Sequence, residues 1–188
     1  IATLGMMLIL KGLALVISGT RPIYFNNTPG FDAISLGSVI GDVFPALPIP
    51  NGVLILFLVA GGTAWILNRT VLGRYCFALG SNEEAVRLSG VNTDRWKIAI
   101  YAMAGAIVGI GGLVIASRLN SAQPALGLGY ELEAIAAVVI GGTSLSGGRG
   151  TIVGTLIGAL IMAVLTNGLL ILSVAQEWQT VVTGTIII

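Results

Sequence analysis

The sequence predicts an all-α fold: a polytopic helical membrane protein with about five transmembrane segments and one short cytoplasmic helix. Of its 188 residues, 55% are hydrophobic and only 9% are charged, whereas soluble domains carry about 25% charged residues. Long apolar runs, each about the 20 residues that a spanning helix needs, alternate with polar connections. Both ends lie within apolar runs, so we expect residues 1–188 to be a single transmembrane domain, the C-terminal part of a longer chain truncated at both ends.

Four apolar runs are long enough to be interpreted as spans. They cover residues 1–18, 51–67, 98–117 and 151–174. The first contains Lys11, and a central lysine costs about 2.5–3.5 kcal/mol in an inserted helix. We expect Lys11 to pack against a polar group or to snorkel, the alternative being that it lines a pathway. Residues 134–140 form a short span or a re-entrant helix, and a last span begins near Thr180.

The positions of the basic residues predict the orientation in the membrane. The connection 68–97 contains five of the nine Lys and Arg residues: Arg69, Arg74, Arg87, Arg95 and Lys97. Short cytoplasmic loops are enriched in Lys and Arg, so this connection is predicted to be cytoplasmic. Residues 19–50 and 118–131 are then external, and 147–150 is cytoplasmic if the short run 134–140 crosses the membrane.

Within the cytoplasmic connection, the sequence GSNEEAVRLSGV predicts a helix of about two turns. Ser81 and Glu84 fit a capping box at its start, and Gly90 is suited to the left-handed conformation that ends a helix. Glu83 precedes Arg87 by four residues, the favourable order for an ion pair.

The apolar residues of this short helix, Ala85 and Leu88, lie on one side of it. So short a helix is not stable alone in water. It is therefore expected to dock, either against its own membrane bundle or against a separate cytoplasmic partner.

The 27 glycines include sets at four-residue spacing, which is typical of helices that pack closely in lipid. We predict helix packing at Gly105, Gly109, Gly150, Gly154 and Gly158.

Leu145–Gly148 spells LSGG, the start of the signature by which ABC ATPases bind nucleotide. That chemistry also requires a phosphate loop of the G-x-x-x-x-G-K-[ST] type, which the sequence lacks, and LSG recurs at Leu88–Gly90. We therefore interpret the stretch as a glycine turn between two membrane segments, with Arg149 on the cytoplasmic side. The alternative is that its free N–H groups bind an anion or shape a gate.

The composition excludes several classes of function. The chain has no histidine and one cysteine, Cys76, so a Ser-His-Asp set, a Cys-His pair and a four-ligand zinc site are all excluded. A net charge of +1 gives no reason to expect a nucleic-acid partner. We expect no catalytic residues, no metal and no other cofactor.

Three stretches resemble the permease subunits of bacterial ABC sugar importers of the ribose, xylose and arabinose type. They are ALGSNEEAVRLSGVNTDRWKI, SRLNSAQPALGLGYELEAIAAVVIGGTSLSGGRGTIVGTLIGALIMAVLTNGL and WQTVVTGTIII. The resemblance implies an inner-membrane protein that pairs with a second permease copy and sits on two ABC ATPase subunits. A periplasmic sugar-binding protein delivers a monosaccharide, a pentose or hexose, which crosses by alternating access. ATP hydrolysis is implied on the separate subunits, so this chain is not itself an enzyme.

The wider importer class docks on its ATPase through a Glu-Ala-Ala loop. Glu84, Ala85, Gly90 and Ile100 match that pattern, whereas Val86 replaces the second alanine and no Leu-Pro follows Ile100. The resemblance thus implies a coupling helix within 68–97. The residues assigned to ATPase coupling are Ser81, Glu83, Glu84, Ala85, Arg87, Leu88 and Gly90.

A sugar site needs side chains that bind hydroxyls. Thr166 and Asn167, within an apolar span, and Asn120 and Gln123, in an external segment, are the candidate pathway residues. Their alternative uses are interhelical hydrogen bonding and contact with water. The alternative function is a secondary transporter or channel for a small polar solute, which would be expected to carry buried ionisable residues.

Overall fold

The computed structural model describes residues 2–25, 28–43, 49–127, 129–175, 178, 181–182 and 184–185. The described part is mainly helical, which confirms the all-α class. Its helices are α1 Ala2–Ser18, α2 Val39–Val43, α3 Asn51–Arg69, α4 Val71–Leu88, α5 Thr93–Leu119, α6 Tyr130–Ile140 and α7 Ile152–Ile171. A 3₁₀ helix, Asp32–Ile34, and two short strands, β1 Ile23–Tyr24 and β2 Ser121–Ala122, complete these elements.

Three helices in the described part of the chain, α3, α5 and α7, are long and apolar enough to cross a membrane. Helix α1 is apolar, but with 17 residues it is shorter than the roughly 20 residues that a spanning helix needs. Helix α6 has 11 residues, about 16 Å at 1.5 Å per residue, so it is too short to cross a hydrocarbon core of about 30 Å. The span expected from Thr180 lies largely outside the described residues, and the count of five spans stays a prediction.

The chain forms two compact units, the first built from residues 1–57 and 105–128. In this unit β1 pairs antiparallel with β2. The buried Ser117 hydroxyl, near the end of α5, accepts from the Ser35 N–H at 3.0 Å and donates to the Phe31 carbonyl at 2.7 Å. These bonds attach the segment before α2 to the last turn of α5.

Asn51 fixes the start of α3 in the same unit. Its backbone N–H donates to the Gly37 carbonyl at 2.7 Å, and its side-chain amide donates to the Ala33 carbonyl at 2.8 Å. Its side-chain oxygen accepts from the Val39 N–H at 3.0 Å. Residues 33–39, in the connection before α3, are therefore held at a defined place by one asparagine.

The second unit contains residues 58–104 and 129–188, and its core is the pairing of α6 with α7. Gly158 faces the Ala137 carbonyl and Gly154 faces the Gly141 carbonyl, each so closely that a Cβ would collide. Met162 is buried one turn beyond Gly158. The absence of side chains at the two glycines is what allows the backbones of α6 and α7 to touch.

Helix α4 occupies residues that the sequence predicts mostly as connection. Thr70 caps it, accepting from the Gly73 N–H at 3.4 Å, and a Cβ on Gly73 would collide with the Leu67 carbonyl. The corner between α3 and α4 is therefore tight. At Asn82 the backbone turns to φ −157° and ψ 99°, which kinks α4 and separates its last turns from the rest.

Candidate functional site

The kink in α4 starts a short helix at residues 83–88, here called the docking helix after the role that the sequence predicts for it. The Asn82 side-chain oxygen accepts from the Ala85 N–H at 3.0 Å, so Asn82 is the N-cap. The predicted cap, Ser81, is wrong by one residue, because asparagine caps a helix as well as serine does. Gly90 has φ +85°, the left-handed conformation predicted for the residue that ends the helix.

The ion pairs of the docking helix differ from the prediction. Glu83 pairs with Lys97 near the start of α5, rather than with Arg87. Arg87 instead approaches Glu84, with an N···O distance of 4.0 Å between side chains that are 69% and 77% exposed. That exposed pair contributes little stability. The Glu83–Lys97 pair is half exposed and also contributes little stability, but it connects the docking helix to α5.

The apolar residues of the docking helix face outward. Leu88 is 80% exposed and Ala85 is exposed as well, so neither packs into the described part of this unit. A helix of this length is not stable alone, and here its cap and the pair with Lys97 hold it in place. The unit therefore presents a fixed, short helix with an unburied leucine.

Residues 143–150, here called the glycine loop, connect α6 to α7. The Ser144 N–H donates to the Arg149 carbonyl at 3.0 Å, and the Gly147 N–H donates to the Ser144 carbonyl at 3.1 Å. Gly147 and Gly148 have φ +86° and +74°, which glycine adopts without a steric penalty. The stretch containing LSGG is thus a closed turn between two helices, as the sequence predicts.

The glycine loop lies against the residues that precede the docking helix. Gly147 contacts the Gly80 carbonyl, and a Cβ added to Gly80 would lie 2.8 Å from the Gly148 nitrogen. A Cβ added to Gly148 would lie 2.9 Å from the Ser81 Cβ. The loop therefore lies at the end of this unit that carries the docking helix.

An apolar cleft of about 340 Å³ lies behind the glycine loop. Its lining includes Leu67, Cys76, Phe77, Val138, Thr143 and Ile152. Burial raises the pKa of the Cys76 thiol, so the thiol is neutral and weakly nucleophilic near pH 7. Among the described residues there is no group of three or more side chains suited to hold a metal ion.

A second groove, of about 430 Å³, runs between α6 and α7. It brings Thr166 and Asn167 together with Tyr130 and Glu133. The Asn167 side-chain nitrogen donates to the Ala163 carbonyl at 2.8 Å. Its second N–H and its oxygen make no other hydrogen bond to the described residues, so both can bind a ligand. An aromatic ring, a carboxylate, an amide and a hydroxyl are groups that bind a polyhydroxylated molecule.

The other two candidate pathway residues belong to the first unit and do not line that groove. The Gln123 amide donates to the Ser121 hydroxyl at 3.4 Å. Asn120 has φ +47°, and its buried side-chain oxygen has no hydrogen-bond partner within the described ranges. Asn120 therefore retains an acceptor that no described residue of its unit uses.

The glycines predicted to pack helices fall into two groups. Gly154 and Gly158 lie against α6, and a Cβ at Gly150 would lie 2.7 Å from the Thr143 methyl group. Apart from the backbone of α5 itself, no atom of the described residues lies within 4 Å of the Cβ position at Gly105 or Gly109. The packing role of these two stays a prediction.

Sequence reasoning missed Asn82, Lys97 and Gly80. Asn82 carried a signal, since asparagine is among the best N-caps. Lys97 and Gly80 carried none, because their partners, Glu83 and the glycine loop, are brought to them only by folding.

Comparison with known proteins gives one family and several relatives. Residues 1–188 match the family described as branched-chain amino acid transport system / permease component. The chain is 44% identical over 191 residues to the ribose import permease protein RbsC of Escherichia coli K12, and 45% identical over 189 residues to that of Bacillus subtilis 168. It is 46% identical over 140 residues to the xylose transport system permease protein XylH of E. coli K12.

The matches cover the chain more fully than they cover the relatives. Both ribose permease matches include 100% of this chain, but only 57% and 56% of the relatives. The xylose permease match includes 74% of this chain and 36% of that relative. The chain thus spans a little over half the length of the ribose permeases. No solved structure matches it.

Proposed function

The chain belongs to the branched-chain amino acid transport system / permease component family, and from this premise we propose that it is the membrane-spanning permease subunit of an ATP-driven ABC importer. Its cargo is a monosaccharide, a pentose or hexose, which it carries across the bacterial inner membrane by alternating access. The choice of a sugar is supported by identities of 44–46% to proteins named as ribose and xylose permeases.

The docking helix is the structural observation that carries the proposal. It is capped at Asn82, ends at Gly90 and exposes Leu88, although a helix this short gains its stability from tertiary contacts. An exposed helix that is nonetheless held in one place is suited to receive a partner. We assign the ATPase subunit as that partner. It hydrolyses ATP, while this chain forms the pathway through which the sugar crosses the membrane.

The partner can move the permease only if its two nucleotide states contact the docking helix differently. Coupling is assigned to Ser81 and Gly90 at its ends and to Glu83, Glu84, Ala85, Arg87 and Leu88 within it. A second permease copy completes the membrane pathway, and a periplasmic sugar-binding protein delivers the cargo.

The short helix α6 supports a pathway beside it. We propose five crossings in this chain, one of them made by α6 with its adjoining non-helical segments. Non-helical backbone at membrane depth is tolerated only when buried in protein or lining a cavity, and interrupted helices mark binding sites in many transporters. The groove between α6 and α7 is therefore assigned to the sugar, with Thr166 and Asn167 as hydroxyl-binding residues.

The proposal is tested with the full-length protein purified from its native membrane and reconstituted in liposomes. Labelled ribose, xylose, arabinose, glucose and leucine are supplied with the binding protein, with ATP or with an ion gradient alone. We expect ATPase subunits to co-purify and uptake of one sugar to require ATP. Uptake driven by an ion gradient without ATPase subunits would instead identify a secondary transporter, and uptake of leucine alone would refute the sugar assignment.

A further inference from the structure

We propose that the glycine loop and the two residues before the kink at the docking helix, Gly80 and Ser81, form one rigid transmission element that carries the ATPase movement to the sugar groove. This inference rests on the proposed function. Gly147 and Gly148 are its positioning residues on the loop, and Gly80 is the positioning residue on α4. None of the three lines the groove assigned to the sugar.

The contact between the loop and α4 is made by backbone, without intervening flexible side chains. Gly147 lies on the Gly80 carbonyl, and Gly148 lies on Gly80 and on the Ser81 Cβ. Long side chains at such a contact can change rotamer and absorb a displacement, whereas touching backbones transmit it. A shift of Ser81, directly before the cap at Asn82, therefore displaces the loop.

The loop in turn continues directly into α6 and α7, which are also joined by backbone contacts. Gly154 lies against the Gly141 carbonyl, and Gly158 lies against the Ala137 carbonyl one turn further along. Ala137 also lines the sugar groove. An unbroken series of close contacts thus leads from the docking helix to the groove that contains Asn167.

Two separate demands require glycine at position 147. Its φ of +86° disfavours any side chain, and its close contact with Gly80 excludes a Cβ. Gly142 has a similar φ, +81°, but apart from its chain neighbours no described residue has an atom within 4 Å of its Cβ position. Gly142→Ala therefore reproduces the backbone strain of Gly147→Ala without the collision, and is its matched control.

Gly80 supplies a second variant in which strain plays no part. Alanine is the better helix former, so Gly80→Ala is expected to harm the protein only through its collision with Gly148. A similar effect of Gly80→Ala and Gly147→Ala therefore reports the contact itself.

The first experiment measures sugar molecules imported per ATP hydrolysed, using the reconstituted full-length complex. We expect Gly80→Ala and Gly147→Ala to retain their ATPase subunits and to hydrolyse ATP, while the ratio falls at least fivefold. Gly142→Ala is expected to stay within twofold of the unsubstituted protein. An unchanged ratio in Gly80→Ala and Gly147→Ala would overturn the proposal.

A second experiment covers the case in which an alanine variant fails to assemble. It measures amide hydrogen exchange in the unsubstituted reconstituted complex, for peptides covering residues 76–82 and 143–150, with and without a non-hydrolysable ATP analogue. We expect exchange in both peptides to stay within twofold between the two states, because touching backbones that move together remain in contact. A larger change in the 143–150 peptide would contradict a rigid contact.

Failure of this inference is distinguishable from failure of the proposed function. If import is ATP-driven but the glycine variants transport normally, only the transmission element is refuted. If import by the unsubstituted protein needs no ATPase subunits, the importer itself is refuted.

Discussion

The side-chain oxygen of Asn82 accepts a hydrogen bond from the Ala85 N–H at 3.0 Å, and this bond starts the docking helix. Removing an N-cap costs about 1 kcal/mol. In Asn82→Ala we therefore expect residues 83–88 to exchange their amide hydrogens about fivefold faster. Hydrogen exchange measured by mass spectrometry on peptides from this region is the check. Asn82→Asp preserves a capping oxygen and should exchange normally; equal exchange in both variants would contradict the assignment of the cap.

The pair between Glu83 and Lys97 should affect coupling more than stability. The side chains are 48% and 41% exposed, and such surface pairs contribute at most about 1 kcal/mol. Lys97→Glu places like charges together and should lower sugar-stimulated ATP hydrolysis severalfold. The double reversal, Glu83→Lys with Lys97→Glu, should restore most of it. If the double variant is as impaired as the single one, the two charges do not act as a pair.

Gly90→Pro should separate ATP hydrolysis from import. Proline fixes φ near −65°, whereas Gly90 has φ +85° and donates its N–H to the Arg87 carbonyl at 3.1 Å. Membrane insertion should be unchanged, as judged by the amount in the membrane fraction, while uptake is lost. Gly90→Asn is the control, because asparagine tolerates the left-handed conformation. Full uptake by the proline variant would exclude this end of the helix from coupling.

Helix packing predicts opposite outcomes for two glycines of α7. A side chain at Gly154 would collide with the Gly141 carbonyl and approach the Thr151 hydroxyl. Beyond the backbone of α7 itself, no atom in the described part of the chain lies within 4 Å of a Cβ at Gly168. Overpacking costs about 1–3 kcal/mol or more. Gly154→Leu should therefore lower the yield of folded protein in detergent severalfold, and Gly168→Leu should not. Similar yields for both would refute the close contact of α6 with α7.

The groove predicts a binding role for Asn167. Loss of one hydrogen bond costs about 0.5–1.5 kcal/mol, so Asn167→Ala should raise the KM for sugar uptake about two- to tenfold. Thr155→Val is a suitable control, because the Thr155 hydroxyl also bonds a carbonyl four residues earlier but does not line this groove. An unchanged KM in Asn167→Ala, with normal expression, would remove Asn167 from the pathway.

The sequence determined the features that depend on neighbouring residues. Apolar runs gave the spanning helices α3, α5 and α7, because the transfer of about 20 residues into lipid is a property of one segment. Gly90 and the polar stretch before it predicted a short helix with a defined end. The four letters from Leu145 to Gly148 were correctly interpreted as a turn.

Only the tertiary structure decided which distant residues meet. The sequence predicted Arg87 as the partner of Glu83, and the path of the chain brought Lys97 to Glu83 instead. The glycine loop and Gly80 are more than sixty residues apart in sequence. Their contact involves Gly147, Gly148 and Gly80, which have no side chains, so no side-chain chemistry predicts it. Such contacts depend on the path of the backbone, and the order of apolar and polar segments does not determine that path. The same order does determine which segments can span a membrane.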